Sequence, residues 1–393
     1  MINVGDFRIG LEEKEAINNV LDSGKISEGK KVREFEKEWA KYVGTKHAIA
    51  VSSGTAALIV GLRALKITGH ILPFRQNVIT TPITYAATTN ALFLENYSPK
   101  YVDIDPETFV ITPENIKAHL EEVGDPSKYS MILPVHLMGY PADMNEINKI
   151  AKKYNMITFE DSAQAHGTIY DGKHTGTFST LADYSFYIAH NIQAGELGAV
   201  NTDNYEIIRI IRKLKANGRA CDCPICTRNT TGCPKKDLYE GDPRFTHELI
   251  GYNFKTMEFQ AALALCQLKK ADWIKEQRNQ NVMYLNEQLE GIEHLQLPKY
   301  SKDVSYFAYP LICKDINRKK LRIKLEKKGI ESRPLFGCLP TQQPAFGFLK
   351  NIYKGRLPNA EHVGANGFYI GCHQYLTQDD LDYMIKTLKE VVK

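Results

Sequence analysis

The stretch HAIAVSSGTAALIVGLRAL (47–65) holds a short apolar run, then a Ser-Ser-Gly-Thr turn, then apolar residues at helical spacing. It predicts a strand at 47–53 feeding a helix. The same sequence of events repeats downstream. NVITTP (77–82) is a strand, TYAATTNALFLEN (84–96) a helix and PKYVDID (99–105) a strand. NIKAHLEEV (115–123) and MNEINKIAKKYN (144–155) are helices that alternate with the strands SMILPVHL (130–137) and MITFED (156–161). Strands separated by helices of about a dozen residues predict an α/β fold, with a mostly parallel sheet covered on both faces. Ligands of such sheets bind at the carboxyl ends of strands, where Ser-Ser-Gly-Thr, Thr-Pro-Ile-Thr-Tyr and Glu-Asp-Ser-Ala fall here.

Two helices, 9–23 and 31–43, precede the first strand. From about Phe254 the texture changes: one long proline-free helix is expected over 257–289, followed by short strands and helices. The division implied is a large domain at 1–250, containing a cysteine loop at 216–245, and a smaller C-terminal α+β domain at 251–393. The 393 residues carry a formal net charge of +4, and the basic residues of KKVREFEKEWAKY (30–42) interleave with acids, which speaks for a solvated helix face and against nucleic-acid binding. No apolar run reaches the length of a membrane span. The first residues are polar and acidic rather than those of a secretory signal, so a reducing cytoplasm is the expected setting.

Several strand-end residues suit a phosphorylated, flat, electron-accepting cofactor. Ser53, Gly54 and Thr55 open a helix whose N–H groups bind phosphate, although a plain N-cap is an equal reading. Ser185 is a further phosphate candidate. Tyr85 offers a stacking ring, or else a core tyrosine. Asp161 closes a strand where an acid could keep a pyridine nitrogen protonated, and Gln164 could bond a ring hydroxyl.

Together SSGTAAL (52–58), TPITYAATTNAL (81–92), LPVHLMGYPADM (133–144), FEDSAQAHGT (159–168), SFYIAHNIQAGELGAV (185–200) and GYNFKTMEFQAALALCQL (251–268) resemble the DegT/DnrJ/EryC1/StrS sugar aminotransferase and dehydratase family over nearly the whole chain. The resemblance implies the pyridoxal-phosphate-dependent transferase fold of type I. It implies that Asp161 holds the pyridine nitrogen and that Tyr85 stacks. Gly54, Thr55 and Ser185 would take the phosphate, and Asn253 would reach the phosphate across a homodimer interface. His190 stands where the family's aminotransferases carry the lysine that binds the cofactor covalently. Imidazole forms no such link, so the resemblance implies pyridoxamine phosphate held noncovalently, with His190 as acid–base catalyst. Lys213 and Lys215 are the candidates for a displaced lysine.

Four cysteines, Cys221, Cys223, Cys226 and Cys233, crowd the run RACDCPICTRNTTGCPKK (219–236), stiffened by Pro224 and Pro234. Thiolates this close suit a metal centre, iron–sulfur or structural zinc. Within the family they favour an iron–sulfur 3-dehydratase of a CDP-linked 4-keto-6-deoxyhexose, of the kind that serves lipopolysaccharide O-antigen synthesis. A [2Fe–2S] centre is expected, with [4Fe–4S] left open by the C-x-C-x2-C-x6-C spacing, and a flavin/iron–sulfur reductase as electron donor. The alternatives are an iron-free GDP-4-keto-6-deoxymannose 3-dehydratase-like enzyme with zinc on the loop, and a non-catalytic sugar-nucleotide-binding protein. His247, Glu248, Arg333, Phe336 and Gln343 are candidates for the substrate pocket.

Overall fold

The computed structural model describes residues 1–392 apart from 224, 225 and 229, so Pro224 lies outside the described residues. The alternating pattern folds into β1 (His47–Val51), β2 (Asn77–Thr80), β3 (Ser98–Tyr101), β4 (Tyr129–Leu133) and β5 (Ile157–Asp161). A small hairpin, β6 (Ile169–Tyr170) and β7 (Lys173–His174), precedes β8 (Leu181–Ser185) and β9 (Gly198–Thr202). These strands, the hairpin aside, form one seven-stranded sheet ordered β1-β9-β8-β5-β4-β2-β3. β8, β5, β4, β2 and β3 pair in parallel, and β9 runs antiparallel to both β8 and β1. Every strand except β9 therefore points its carboxyl end to one edge. β4 and β9 are buried along their whole length, as strands covered on both faces must be.

Helices α1 (Leu11–Asp22), α2 (Lys30–Val43), α3 (Gly54–Ile67) and α4 (Ala86–Leu94) follow the expected pattern. α2 buries Val32, Phe35, Trp39 and Val43 on one face and ends at Gly44, whose φ of 91° is a conformation that favours glycine. Its first turn lacks a side-chain cap of its own. The buried Glu258 carboxylate serves instead, accepting from the N–H groups of Gly29 (2.8 Å), Lys31 (2.9 Å) and Val32 (3.0 Å).

The single helix expected over 257–289 is two helices, Glu258–Leu268 and Ala271–Leu289. The break falls at two lysines. Lys269 and Lys270 ion-pair with Glu12 (2.7 Å) and Glu13 (2.5 Å) of α1, and the Lys270 N–H turns back to Gln267 O rather than one residue further. Periodicity within the segment carried no sign of partners so distant in sequence.

The chain ends around a second, antiparallel sheet, ordered β10-β11-β13-β12, of β10 (Leu295–Gln296), β11 (Tyr309–Cys313), β12 (Ser332–Pro334) and β13 (Gly367–Ile370). The first residues of the chain return to it, with Ile2 bridging Ile330. A continuous apolar core joins both sheets, from Val51, Ile132 and Phe159 to Leu311 and Phe368. A second cluster packs α2 on β1, β8 and β9, and within it Trp39 meets Phe186 edge to face at 4.8 Å. Phe186 is thereby fixed four residues before His190. No helix among the described residues is long and apolar enough to cross a membrane.

Candidate functional site

The turns that leave β1, β2, β4, β5 and β8 meet at the carboxyl edge of the large sheet, as the topology of a parallel sheet requires. There they line a cleft of about 650 Å³. Gly54, Thr55, Tyr85, Asp161, Gln164, Ser185 and His190 all border it. Arg333 and Tyr369 of the second sheet, with Phe307 and Phe336 from the segments beside its strands, close the other side. Seven of the eight catalytic and cofactor candidates, drawn from four separate stretches of chain, thus share one cavity.

Asp161 sits at the last position of β5 and is buried. Thr88 Oγ1 donates to its Oδ2 (2.8 Å) and the Ala163 N–H to its Oδ1 (3.2 Å). Burial raises the carboxyl above its ordinary range, and the two donated hydrogen bonds oppose that. A cationic ring nitrogen would supply what the site lacks. Gln164 accepts from the Met138 N–H through Oε1 (2.9 Å), which leaves its amide NH2 as the donor free for a ligand. The Tyr85 ring is 66% exposed and lies 5.9 Å from Phe336, so its face is open to a flat ligand.

Ser53 caps α3, its Oγ accepting from the Ala56 N–H (3.1 Å). Gly54 lets that helix start press on β8: a Cβ there would lie 2.6 Å from Ser185 Cβ and 3.3 Å from Ser185 Cα. Only glycine permits the two phosphate candidates this approach. Gly54→Ala is expected to part helix from strand, at a cost of about 1–3 kcal/mol for overpacking. Pyridoxamine phosphate should bind at least about tenfold more weakly, that is about 1.4 kcal/mol, by absorbance titration. Unchanged affinity would show that the cradle is elsewhere.

His190 lies in the loop between β8 and β9, where its N–H bonds Tyr187 O (2.8 Å). Asn191 next to it is anchored through Nδ2 to Ser305 Oγ (2.9 Å) and to the carbonyls of Ser305 and Tyr306. The His190 ring packs against Phe307 and His166, with ring centroids 5.4 and 5.8 Å away, and its Nδ1 has no hydrogen-bond partner. Burial, and then the nearby Arg278 guanidinium, push its pKa down to about 3. The imidazole is neutral at physiological pH, with one ring nitrogen left without a partner.

No lysine lines the cleft among the described residues. Lys213 is held by Glu248 and Asp222 (3.7 Å). Lys215 is buried against Glu28 (3.0 Å), Glu36 (3.5 Å) and Ala50 O (2.8 Å). Both amines are committed elsewhere, so neither replaces the missing one at position 190.

The sequence model of the DegT/DnrJ/EryC1/StrS aminotransferase family matches residues 8–389. The chain belongs to this family. It is 33% identical to the lipopolysaccharide biosynthesis protein RfbH of Salmonella typhimurium, over 97% of this chain and 90% of that one. It is 34% identical to the dTDP-4-dehydro-2,6-dideoxy-D-glucose 3-dehydratase of Saccharopolyspora spinosa, over 94% and 81%. Among solved structures, the E. coli GDP-4-keto-6-deoxy-D-mannose-3-dehydratase with bound hydrated PLP superposes with a TM-score of 0.86 at 30% identity, covering 100% and 99% of the two chains.

Outside the cleft lies Asn253, exposed and bridging Ala216 rather than facing its own chain's cavity. The cysteine loop is outside as well. Cys221, Cys223 and Cys233 are partly exposed and Cys226 is exposed. Among the described residues no three His, Cys, Asp or Glu side chains are gathered so as to hold a metal ion. Ion pairs shape the loop instead: Lys235 to Asp222 (2.5 Å), and Arg228 (2.8 Å) and Arg244 (2.6 Å) to Asp242. Cys223 nonetheless feels the charges of Cys221, Asp222 and Cys233, which together with burial raise its pKa. Of the pocket candidates Arg333 and Phe336 line the cleft. His247 bonds Asn217 O (2.8 Å) and Glu248 holds Lys213 and Tyr239, both away from it. Thr88, Asp183 and Glu196 border the cavity without having been singled out from the sequence. For Thr88 the usable signal was its position four residues after Thr84, one helical turn on, where its hydroxyl meets that of Thr84 (3.0 Å).

Proposed function

We propose that the chain is a pyridoxamine-phosphate-dependent 3-dehydratase of a nucleotide-linked 4-keto-6-deoxyhexose, a cytoplasmic enzyme of deoxysugar synthesis. The observation that carries this is a single cleft that gathers seven of the eight candidates, with an imidazole at position 190 and no lysine along its lining. When bound, pyridoxamine phosphate supplies an amine that condenses with a ketone and a ring that withdraws electrons. Asp161 holds the ring nitrogen's charge, Gln164 offers its NH2 to the ring hydroxyl, and Tyr85 covers a face. Gly54, Thr55 and Ser185 receive the phosphate. His190 takes a proton from the carbon that bears the amine and returns it as the C3 hydroxyl departs as water. The exposed position of Asn253 supports a homodimer in which it completes the partner's phosphate site.

Guanosine diphosphate is the proposed nucleotide, supported by the full-length likeness to the solved GDP-sugar 3-dehydratase rather than by any base-reading residue. The CDP-linked sugar expected from the cysteines is thereby placed second. Loss of a hydroxyl is a two-electron reduction of the sugar overall, and the two readings differ in where the electrons originate. In the first, an amine donor would supply the two electrons through the cofactor's amine form, its nitrogen leaving as ammonia, and the cysteine loop would have no redox part. In the second, Cys221, Cys223, Cys226 and Cys233 hold an iron–sulfur centre fed by a flavin/iron–sulfur reductase. What favours this second reading is the crowding of four cysteines into residues 221–233.

The test is turnover of GDP-, CDP- and dTDP-linked 4-keto-6-deoxyhexoses by anaerobically purified protein, with an amine donor or with a reductant, alongside iron and zinc analysis. Turnover of the GDP-sugar with amine donor alone, at low iron content, is the expected result. Two or four irons per chain with a reductant requirement would establish the second reading. Absence of any 3-deoxy product, with pyridoxamine phosphate bound, would overturn both.

A further inference from the structure

Asp183 has no part in the chemistry described so far, yet it lies in the same cleft. It occupies β8 in register with Asp161 of the neighbouring parallel strand β5. Register partners stand about 5 Å apart and turn their side chains to the same face of a sheet. Asp183 is wholly buried, and neither of its carboxyl oxygens has a hydrogen-bond partner in another residue. Asp161 by contrast receives two donors, Thr88 and the Ala163 N–H. Two such neighbours cannot both carry charge in a dry site, and the one without donors keeps the proton.

We propose that Asp183 is a second acidic residue of the cofactor site, a carboxyl that keeps its own proton beside Asp161 and so leaves Asp161 as the single counter-ion of the ring nitrogen. The inference rests on the cofactor reading above. It makes Asp183 a positioning residue: the pair carries a single negative charge, matched to a single cationic ring. Burial and then the charge of Asp161 hold the Asp183 carboxyl well above its ordinary range. The groups that face the pair are few. Tyr184 neighbours Asp183 on β8, His136 acts on Asp161, and His190, Glu196 and Arg333 border the same cavity. None is bonded to Asp183.

The experiment is infrared spectroscopy of the full-length protein with its aspartates labelled by 13C at the side-chain carboxyl, with and without pyridoxamine phosphate. At pH 7 the wild type should show a protonated carboxylic acid band that moves with the label and is absent from Asp183→Asn. In Asp161→Asn, which removes the neighbouring charge, the band should titrate away at lower pH than in wild type. A merely structural Asp183 would give no such coupling. The absence of a protonated band at pH 7, its survival in Asp183→Asn, or an unmoved titration in Asp161→Asn would each overturn the proposal. Should Asp183→Asn not fold, the wild-type band and the Asp161→Asn titration still decide. Cofactor absorbance on the same samples separates the two claims: failure to bind pyridoxamine phosphate with the band present refutes the cofactor reading, and binding without the band refutes the protonated Asp183.

Discussion

His190→Asn is expected to lower turnover by about 10²–10⁴-fold, the range that one positioned acid–base group supplies. The amide matches the imidazole's size closely enough to keep the loop anchored by Asn191, so pyridoxamine phosphate should still bind with its usual absorbance. Loss of proton exchange at the cofactor's methylene carbon, followed by NMR in deuterated water, is the direct measurement. Undiminished exchange would remove His190 from the role of base. The pH dependence follows from burial. With its pKa pushed down to about 3, His190 stays neutral through pH 5, so the acid limb of kcat in wild type should not fall at 6.5. Stability carries the opposite mark. The unfolded chain takes up a proton at this residue near pH 6.5 and the folded one does not until about 3, so stability is lost as pH falls through that window. The slope due to one such histidine is about 1.4 kcal/mol per pH unit. Urea denaturation should show wild type losing stability more steeply than His190→Asn between pH 6 and 5 by about that amount.

Asp161→Asn is expected to cut kcat by about 10²–10³-fold, the usual effect of removing one preorganised electrostatic partner. The substitution keeps the shape, and Thr88 still has an oxygen to bond, yet the negative charge that would hold a ring proton is gone. The bound cofactor should then show the absorbance of an unprotonated ring at neutral pH. Burial raises the Asp161 carboxyl only while its partner is absent, so binding of a cationic ring should be accompanied by a proton balance that calorimetry in two buffers detects. An Asp161→Asn protein with wild-type kcat and an unaltered cofactor spectrum would show that the ring nitrogen lies elsewhere.

Much of this site was readable because its residues fall where local pattern changes. Asp161 ends an apolar strand, Gly54 opens an apolar helix, and His190 follows a strand at a fixed interval. Asp161 and Gly54 are visible at the junction of two periodicities, whereas His190 stood out through the family resemblance. Thr88 and Asp183 were not readable in that way. Thr88 lies inside a helix and Asp183 inside a strand, where a polar residue has an ordinary structural explanation. Only a neighbour brought in from another strand gives either a task. The helix break at Lys269–Lys270 was hidden for the same reason, because its cause is a pair of acids some 250 residues away, in α1.

Sequence alone determined the alternation of strands and helices, the polar residues at the strand ends, and the exchange of an amine for an imidazole at position 190. The first two are properties of periodicity and residue type, which short stretches of chain express by themselves, and the third is what the family resemblance implies. Tertiary structure alone decided that seven of the candidates share one cleft with Phe307, Arg333 and Phe336 from the C-terminal part of the chain. It also decided that Lys213 and Lys215 are spent on distant acids, and that Asp183 stands beside Asp161. Strand register and packing between remote segments fix those relations, and no local window of the chain contains both partners.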